Sequence, residues 1–135
     1  CVGANVRVAT PAGYAPDPAI VAEALRAARE TRAKIEILRA PEEAVAGAQA
    51  VYTDVWASMG QEQEAAQRET LFAPYQVNEA LMAQAAPESV FLHCLPAHRG
   101  LEVTDAVLDA PSSIVYDQAE NRLHVQKAIL LTLLG

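Results

Sequence analysis

Short runs of β-branched and aliphatic residues alternate along the chain with longer stretches in which apolar positions return every three or four residues. Residues 5–9 read as a strand, and Thr10-Pro11-Ala12-Gly13-Tyr14-Ala15-Pro16 as a loop rich in turn residues. Asp17 suits the N-cap of a helix whose first position falls on Pro18, where a missing N–H is harmless. That helix is predicted to run to about Thr31, with Ile20, Val21, Ala24, Leu25 and Ala28 on the stripe that a 3.6-residue period buries. Residues 34–38 form a second predicted strand. A short helix near residues 42–46 leads into a third strand at 50–53, which ends at Asp54.

Beyond a polar loop two helical segments are expected, the second carrying Val77, Leu81 and Ala85 at i, i+4 and i+8. Pro87 separates them from a fourth strand at 90–92. Thr104 suits the N-cap of a short helix ending before Pro111, residues 114–116 read as a fifth strand, and a closing helix covers about 119–134. Strands that alternate with helices cannot be joined by hairpins, so they pair in parallel through right-handed crossovers. The predicted fold is therefore α/β: a doubly wound parallel sheet of about five strands with helices on both faces, a Rossmann-like three-layer sandwich. All its strands end on one edge, where ligands of such sheets bind. Three unusual segments fall there: residues 54–60, 93–99 and 117–122.

A chain of 135 residues is sized for one domain with one core. No apolar run approaches the roughly 20 residues that span a bilayer, and no leader pattern opens the chain, so a soluble, cytoplasmic protein without a membrane partner is expected. Beginning at Cys1-Val2-Gly3 without an initiator Met, the chain reads as a fragment of something longer. The net charge of −7 and pI near 4.8 argue against nucleic acid, whose binding draws on clustered Lys and Arg. Arg26, Arg29, Arg32, Lys34 and Arg39 do cluster, but Glu23, Glu30 and Glu36 are interleaved among them. Cys1 and Cys94 lack the spacing of a disulfide framework, which fits a reducing compartment.

Each polar segment has competing readings. Asp54, Ser58 and Gly60 supply a carboxylate, a hydroxyl and a close backbone approach, suited to clamping an ammonium group or merely to capping the next helix. In His93-Cys94-Leu95-Pro96-Ala97-His98 a zinc site lacks a fourth ligand, and adjacent strand residues point to opposite faces. A nucleophilic Cys94 with His98 as base lacks an accompanying signature. Cys94 as a weak polar contact to a substrate amine, with Leu95 offering a carbonyl, and an inert buried Cys94 are the other readings. Asp117 to Arg122 lies at the start of the last helix, favourable for an anion or serviceable as a cap, and its placement at the strand edge favours the ligand.

Taken together, these segments resemble the ornithine carbamoyltransferases. Asp54-Val55-Trp56-Ala57-Ser58-Met59-Gly60 is similar to their D-x-x-x-S-M-G loop, His93-Cys94-Leu95-Pro96 to their H-C-L-P motif, and Asn121-Arg122 to their terminal arginine segment. Val8-Ala9-Thr10-Pro11 and Tyr75-Gln76-Val77-Asn78 look familial too, so the likeness covers nearly the whole chain in order.

The resemblance implies transfer of a carbamoyl group from carbamoyl phosphate to L-ornithine, giving L-citrulline and phosphate, as in arginine biosynthesis or the urea cycle, with no metal or organic cofactor. By that likeness Asp54, Ser58 and Met59 hold ornithine, Cys94 lies beside the attacking amine, and Cys94, Leu95 and Arg122 contact carbamoyl phosphate. Asp54, Cys94 and Arg122 are the catalytic candidates. Absent are the family's S-T-R-T-R and H-P-x-Q segments and the G-D-x-N-N stretch with its first strand. The chain is thus expected to be the ornithine-binding domain alone, inactive by itself, from an enzyme that is trimeric at full length. In the family the last helix packs on the missing domain, so Leu123, Ile129, Leu130, Leu133 and Leu134 are expected to form an exposed apolar patch. Alternatives are a sister carbamoyltransferase with another amine acceptor and a non-catalytic Rossmann-like module. No G-x-G-x-x-G follows the first strand to cradle a dinucleotide.

Overall fold

Parallel pairing joins the strands in twos. The computed structural model describes residues 3–57 and 64–135. Strand β1 (Val6–Ala9) pairs with β2 (Ile35–Leu38) in the register Val6 to Ile35, and β3 (Ala50–Thr53) pairs with β4 (Val90–His93) in the register Ala50 to Val90. The crossovers are helical: α1 (Pro18–Thr31) joins β1 to β2, α2 (Pro41–Val45) joins β2 to β3, and α3 (Ala65–Phe72) and α4 (Glu79–Met82) lie between β3 and β4. Helices α5 (Asp105–Leu108) and α6 (Val115–Leu134) complete the order.

Local signals in the sequence account for most of the boundaries. Asp17 accepts the N–H of Ala19 at 2.7 Å with Pro18 opening α1, and Thr104 accepts the N–H of Val107 at the start of α5. Asn78 caps α4 by accepting the N–H of Leu81. Val77, predicted as helical, instead precedes α4 in extended backbone, donating to the carbonyl of Glu102 at 2.9 Å and bridging to Val103.

The α/β class holds, with fewer strands than predicted. The predicted strand at residues 114–116 is reduced to one bridge, Phe91 to Ser113, because α6 already starts at Val115. Gln118, one turn inside α6, accepts the N–H of His93 at 3.1 Å, so its side chain takes the place of the next ladder bond. A second departure concerns α1. Of its predicted stripe only Ala28 is buried, while Ile20 and Leu25 are exposed. Two strands set about 4.8 Å apart make too narrow a floor for a helix about 10 Å across.

The core gathers around the other strand pair. Phe91, Val103 and Val115 are fully enclosed, packed with Val45, Val77, Leu81, Val107 and Leu108. Beside it, a cavity of about 450 Å³ separates β1 from β3, lined by residues 7–10 and 50–54, and no bridge joins these two strands among the described residues. The Arg7 guanidinium donates to the carbonyls of Ala44 and Ala46. Leu123, Ile129, Leu130, Leu133 and Leu134 are exposed along α6, and no helix among the described residues is long and apolar enough to cross a membrane.

Candidate functional site

Strands β3 and β4 run side by side in the same direction, so Asp54 and Cys94, each the residue after its strand, emerge at one edge. The Cys94 thiol donates to Asp54 Oδ1 at 3.0 Å, and the same oxygen accepts the N–H of Val55 at 2.7 Å. Tyr52, two residues before Asp54 and therefore on the same face of β3, brings its phenol to Cys94 and to the Gln118 amide. Burial, followed by the hydrogen bond to the Asp54 carboxylate, pushes the Cys94 thiol above its ordinary range. Burial, followed by Cys94, pushes the Tyr52 phenol up as well. Cys94 is thus an S–H donor at neutral pH rather than a thiolate, which weakens the nucleophile reading.

The residues after Cys94 make an unusual turn. Leu95 adopts φ +57, a left-handed conformation that costs a side-chain-bearing residue about 1–2 kcal/mol, and a cis peptide links it to Pro96. Its N–H donates to Nδ1 of His93 at 2.8 Å. His93 is turned into the core, 1% exposed, against the fully buried Glu102, while Cys94 faces Asp54. His98 is not positioned as a base for Cys94. Its N–H donates to Glu102 Oε1, and its Nδ1 stands 3.7 Å from Oε2. Among the described residues no group of three His, Cys, Asp or Glu side chains converges as a metal would need.

A second cavity, about 510 Å³, opens between the two loops, lined by Asp54 to Ala57 on one side and by Leu95, Pro96, His98 and Leu101 on the other. The first loop is braced from α3. Arg68 donates to the Trp56 carbonyl at 3.1 Å, pairs with Glu64 at 3.0 Å and stacks on Tyr14, while Phe72 packs among Tyr14, Trp56 and Tyr75. Ser58 and Met59, predicted to hold a ligand with Asp54, lie outside the described residues.

Arg122 has no hydrogen bond to the Asp54 and Cys94 pair among the described residues. It is exposed, one turn beyond Gln118 on α6, and makes no ion pair or hydrogen bond among the described residues. Because α6 starts early, Arg122 is no longer in the first turn; Asp117 is. Sequence reasoning missed Tyr52 and Glu102, although strand alternation from Asp54 pointed to Tyr52 and the spacing of Glu102 four residues past His98 was legible. Gln118 lay in the segment 117–122 that the sequence placed at this edge, but as part of an anion site or cap rather than as the acceptor for His93.

Residues 1–133 match the family described as aspartate/ornithine carbamoyltransferase, Asp/Orn binding domain. The chain belongs to that family. The carbamoyltransferase likeness extends to single proteins. An ornithine carbamoyltransferase of Thermococcus kodakarensis is 55% identical over 134 residues, which cover 99% of this chain and 42% of the relative. The solved structure of the ornithine carbamoyltransferase from Pyrococcus furiosus superposes with a TM-score of 0.89 at 56% identity, over 94% of this chain and 41% of that one. An N-acetyl-L-ornithine transcarbamylase superposes at 0.83 with 35% identity, over 96% and 40%. The chain therefore spans less than half the length of the carbamoyltransferases it matches.

Proposed function

We propose that this chain is the ornithine-binding domain of an ornithine carbamoyltransferase and acts with polypeptide beyond these residues. The reaction assigned to the whole moves a carbamoyl group from carbamoyl phosphate to the side-chain amine of L-ornithine, giving L-citrulline and phosphate. The meeting of Asp54 with Cys94, 40 positions away, at the ends of paired parallel strands carries this reading. The 55% and 56% identities to the Thermococcus and Pyrococcus enzymes named for ornithine support ornithine as the acceptor.

The chemistry assigns a task to each group. An aliphatic amine with a pKa of about 10.4 is mostly protonated near neutrality and cannot attack until it loses that proton. Asp54, with lone pairs left beyond the Cys94 and Val55 bonds, holds the ammonium and takes up the proton. The freed nitrogen lone pair forms a bond to the carbamoyl carbon, the carbon–oxygen bond to phosphate breaks, and phosphate leaves with the electron pair, its oxygen taking the second amine proton. Cys94 and the Leu95 carbonyl contact the carbamoyl group, and Arg122 stabilises its oxygen as negative charge develops. Ser58 and Met59 hold the amino-acid end of ornithine.

The space between β1 and β3 is assigned to a strand supplied from outside these residues: both strands line it, and neither has a second strand partner among the described residues. The 135-residue chain alone is accordingly expected to bind ornithine weakly and to make no citrulline. The test is citrulline formation by the full-length protein offered L-ornithine, N-acetylornithine, putrescine and aspartate in turn. L-Ornithine is the expected acceptor. A preference for another amine transfers the assignment to that substrate, and absence of turnover with all four, or a calorimetric titration showing NAD but not ornithine binding, overturns it.

A further inference from the structure

Two buried ionisable side chains have no part in the chemistry above. His93 and Glu102 are 1% and 0% exposed, yet both lie directly behind the turn that carries Cys94 and Leu95. His93 Nδ1 accepts the Leu95 N–H at 2.8 Å, so a neutral ring must carry its proton on Nε2. That nitrogen is 3.2 Å from Glu102 Oε1, within ion-pair range but off the line of an aligned hydrogen bond, and it counts among the buried atoms without such a bond. The other tautomer would oppose two N–H groups at Leu95 and turn a lone pair toward a carboxylate. Glu102 therefore favours the tautomer that the Leu95 turn requires.

Glu102 is itself held. Its Oε1 accepts the N–H of His98, and its own backbone carbonyl accepts the N–H of Val77, tying it to the core strandlike segment. The chain of contact runs from Glu102 through the His93 ring to the Leu95 backbone. Leu95 in turn lines the cavity that faces Asp54. The far side of His93 is fixed by Gln118, which accepts its backbone N–H.

We propose that Glu102 is a positioning residue for carbamoyl transfer: through the His93 tautomer it sets the Leu95 turn and hence the place of the Cys94 thiol and Leu95 carbonyl at the site. This rests on the function proposed above. Glu102 is fully buried behind the turn, so its loss acts on turnover by misplacing Cys94 and Leu95, and displacement of about 1 Å is enough to lower kcat on the order of 100-fold.

The test uses the full-length protein in two independent measurements. Nitrogen-15 NMR of labelled histidine reports the tautomer without any activity assay. The unmutated protein is expected to show His93 protonated at Nε2 and bare at Nδ1, and the reverse assignment overturns the proposal whether or not any variant folds. Glu102→Ala is expected to lose the single tautomer and lower kcat on the order of 100-fold, with the ornithine KM changing far less. Glu102→Gln keeps an oxygen for His93 and His98, so it is expected to retain both the tautomer and most of the turnover. Equal loss in the Gln and Ala variants, or Glu102→Ala with unchanged kcat, overturns the proposal. Absence of citrulline formation by the unmutated protein counts against the assigned reaction instead, leaving the tautomer measurement to stand by itself.

Discussion

Replacing Asp54 by Asn removes one charge while keeping nearly the same shape at the point where β3 and β4 deliver their end residues. A hydrogen bond between an ionised carboxylate and an ammonium is worth about 1.5–3 kcal/mol. Asp54 is exposed, so solvent screening takes the figure to its lower end, about 1.5 kcal/mol, or roughly tenfold in ornithine affinity. Turnover falls further, because the variant also lacks a group to take the amine proton. The same substitution acts on Cys94. Burial is the first cause of its raised pKa and Asp54 the second, so in Asp54→Asn only burial is left to raise it, against the lowering hydrogen bond from Tyr52, and the thiolate forms at lower pH. Two assays follow: citrulline formation against ornithine concentration in the full-length protein, and the pH dependence of alkylation at Cys94, resolved by peptide mass from Cys1. Weaker ornithine saturation and faster alkylation at a fixed mildly alkaline pH are expected. Unchanged alkylation would mean that the 3.0 Å thiol contact carries no electrostatic coupling, and unchanged saturation that Asp54 does not hold the amine.

Three further outcomes follow from the packing. Phe91→Ala empties the centre of the core and is expected to destabilise the fold by about 3–5 kcal/mol, read as a shift in the denaturant midpoint; a loss below about 1 kcal/mol would contradict the enclosure of that ring. Gln118→Ala leaves the His93 N–H without its acceptor, at a cost of about 1–3 kcal/mol, and exchange of that amide should quicken markedly relative to Phe91, whose bond to the Ser112 carbonyl is untouched. Asp109 is held below its ordinary carboxyl range by two hydrogen bonds from Arg99, so its contribution is complete above the ordinary Asp value and is lost as pH falls through the lowered one. Asp109→Asn should therefore flatten the acid limb of the stability profile, and an unaltered limb would place the acid sensitivity elsewhere.

Caps and strand runs were legible because their causes are local. Asp17 with Pro18, Thr104 before α5, and the runs 50–53 and 90–92 each declare themselves within a few residues, and the edge where Asp54 meets Cys94 follows from parallel crossovers. The fifth strand failed on a competition that no window of sequence displays: the Gln118 side chain, from inside a helix, occupies the bond that a strand would have made to His93. The stripe of α1 failed because amphipathic spacing promises a burial face without supplying a floor, and two strands are too narrow to be one. His93 looked like a metal-ligand candidate by type. Its actual setting depends on Glu102, nine residues on, entering the core behind the turn.

The gap between β1 and β3 leaves a mark on the backbone itself. Val6 and Thr10 send their N–H groups to β2, and Val90 sends its own to Gln49, so alternation turns the peptide groups of Arg7, Ala9, Ala50 and Tyr52 inward, toward open space. Two alternate peptide groups on each strand thus stand without a partner strand among the described residues. Amide exchange should find these positions as fast as loop residues in a chain of this length and slow them together once a neighbouring segment is supplied, making the seam its own reporter of whether the sheet has closed.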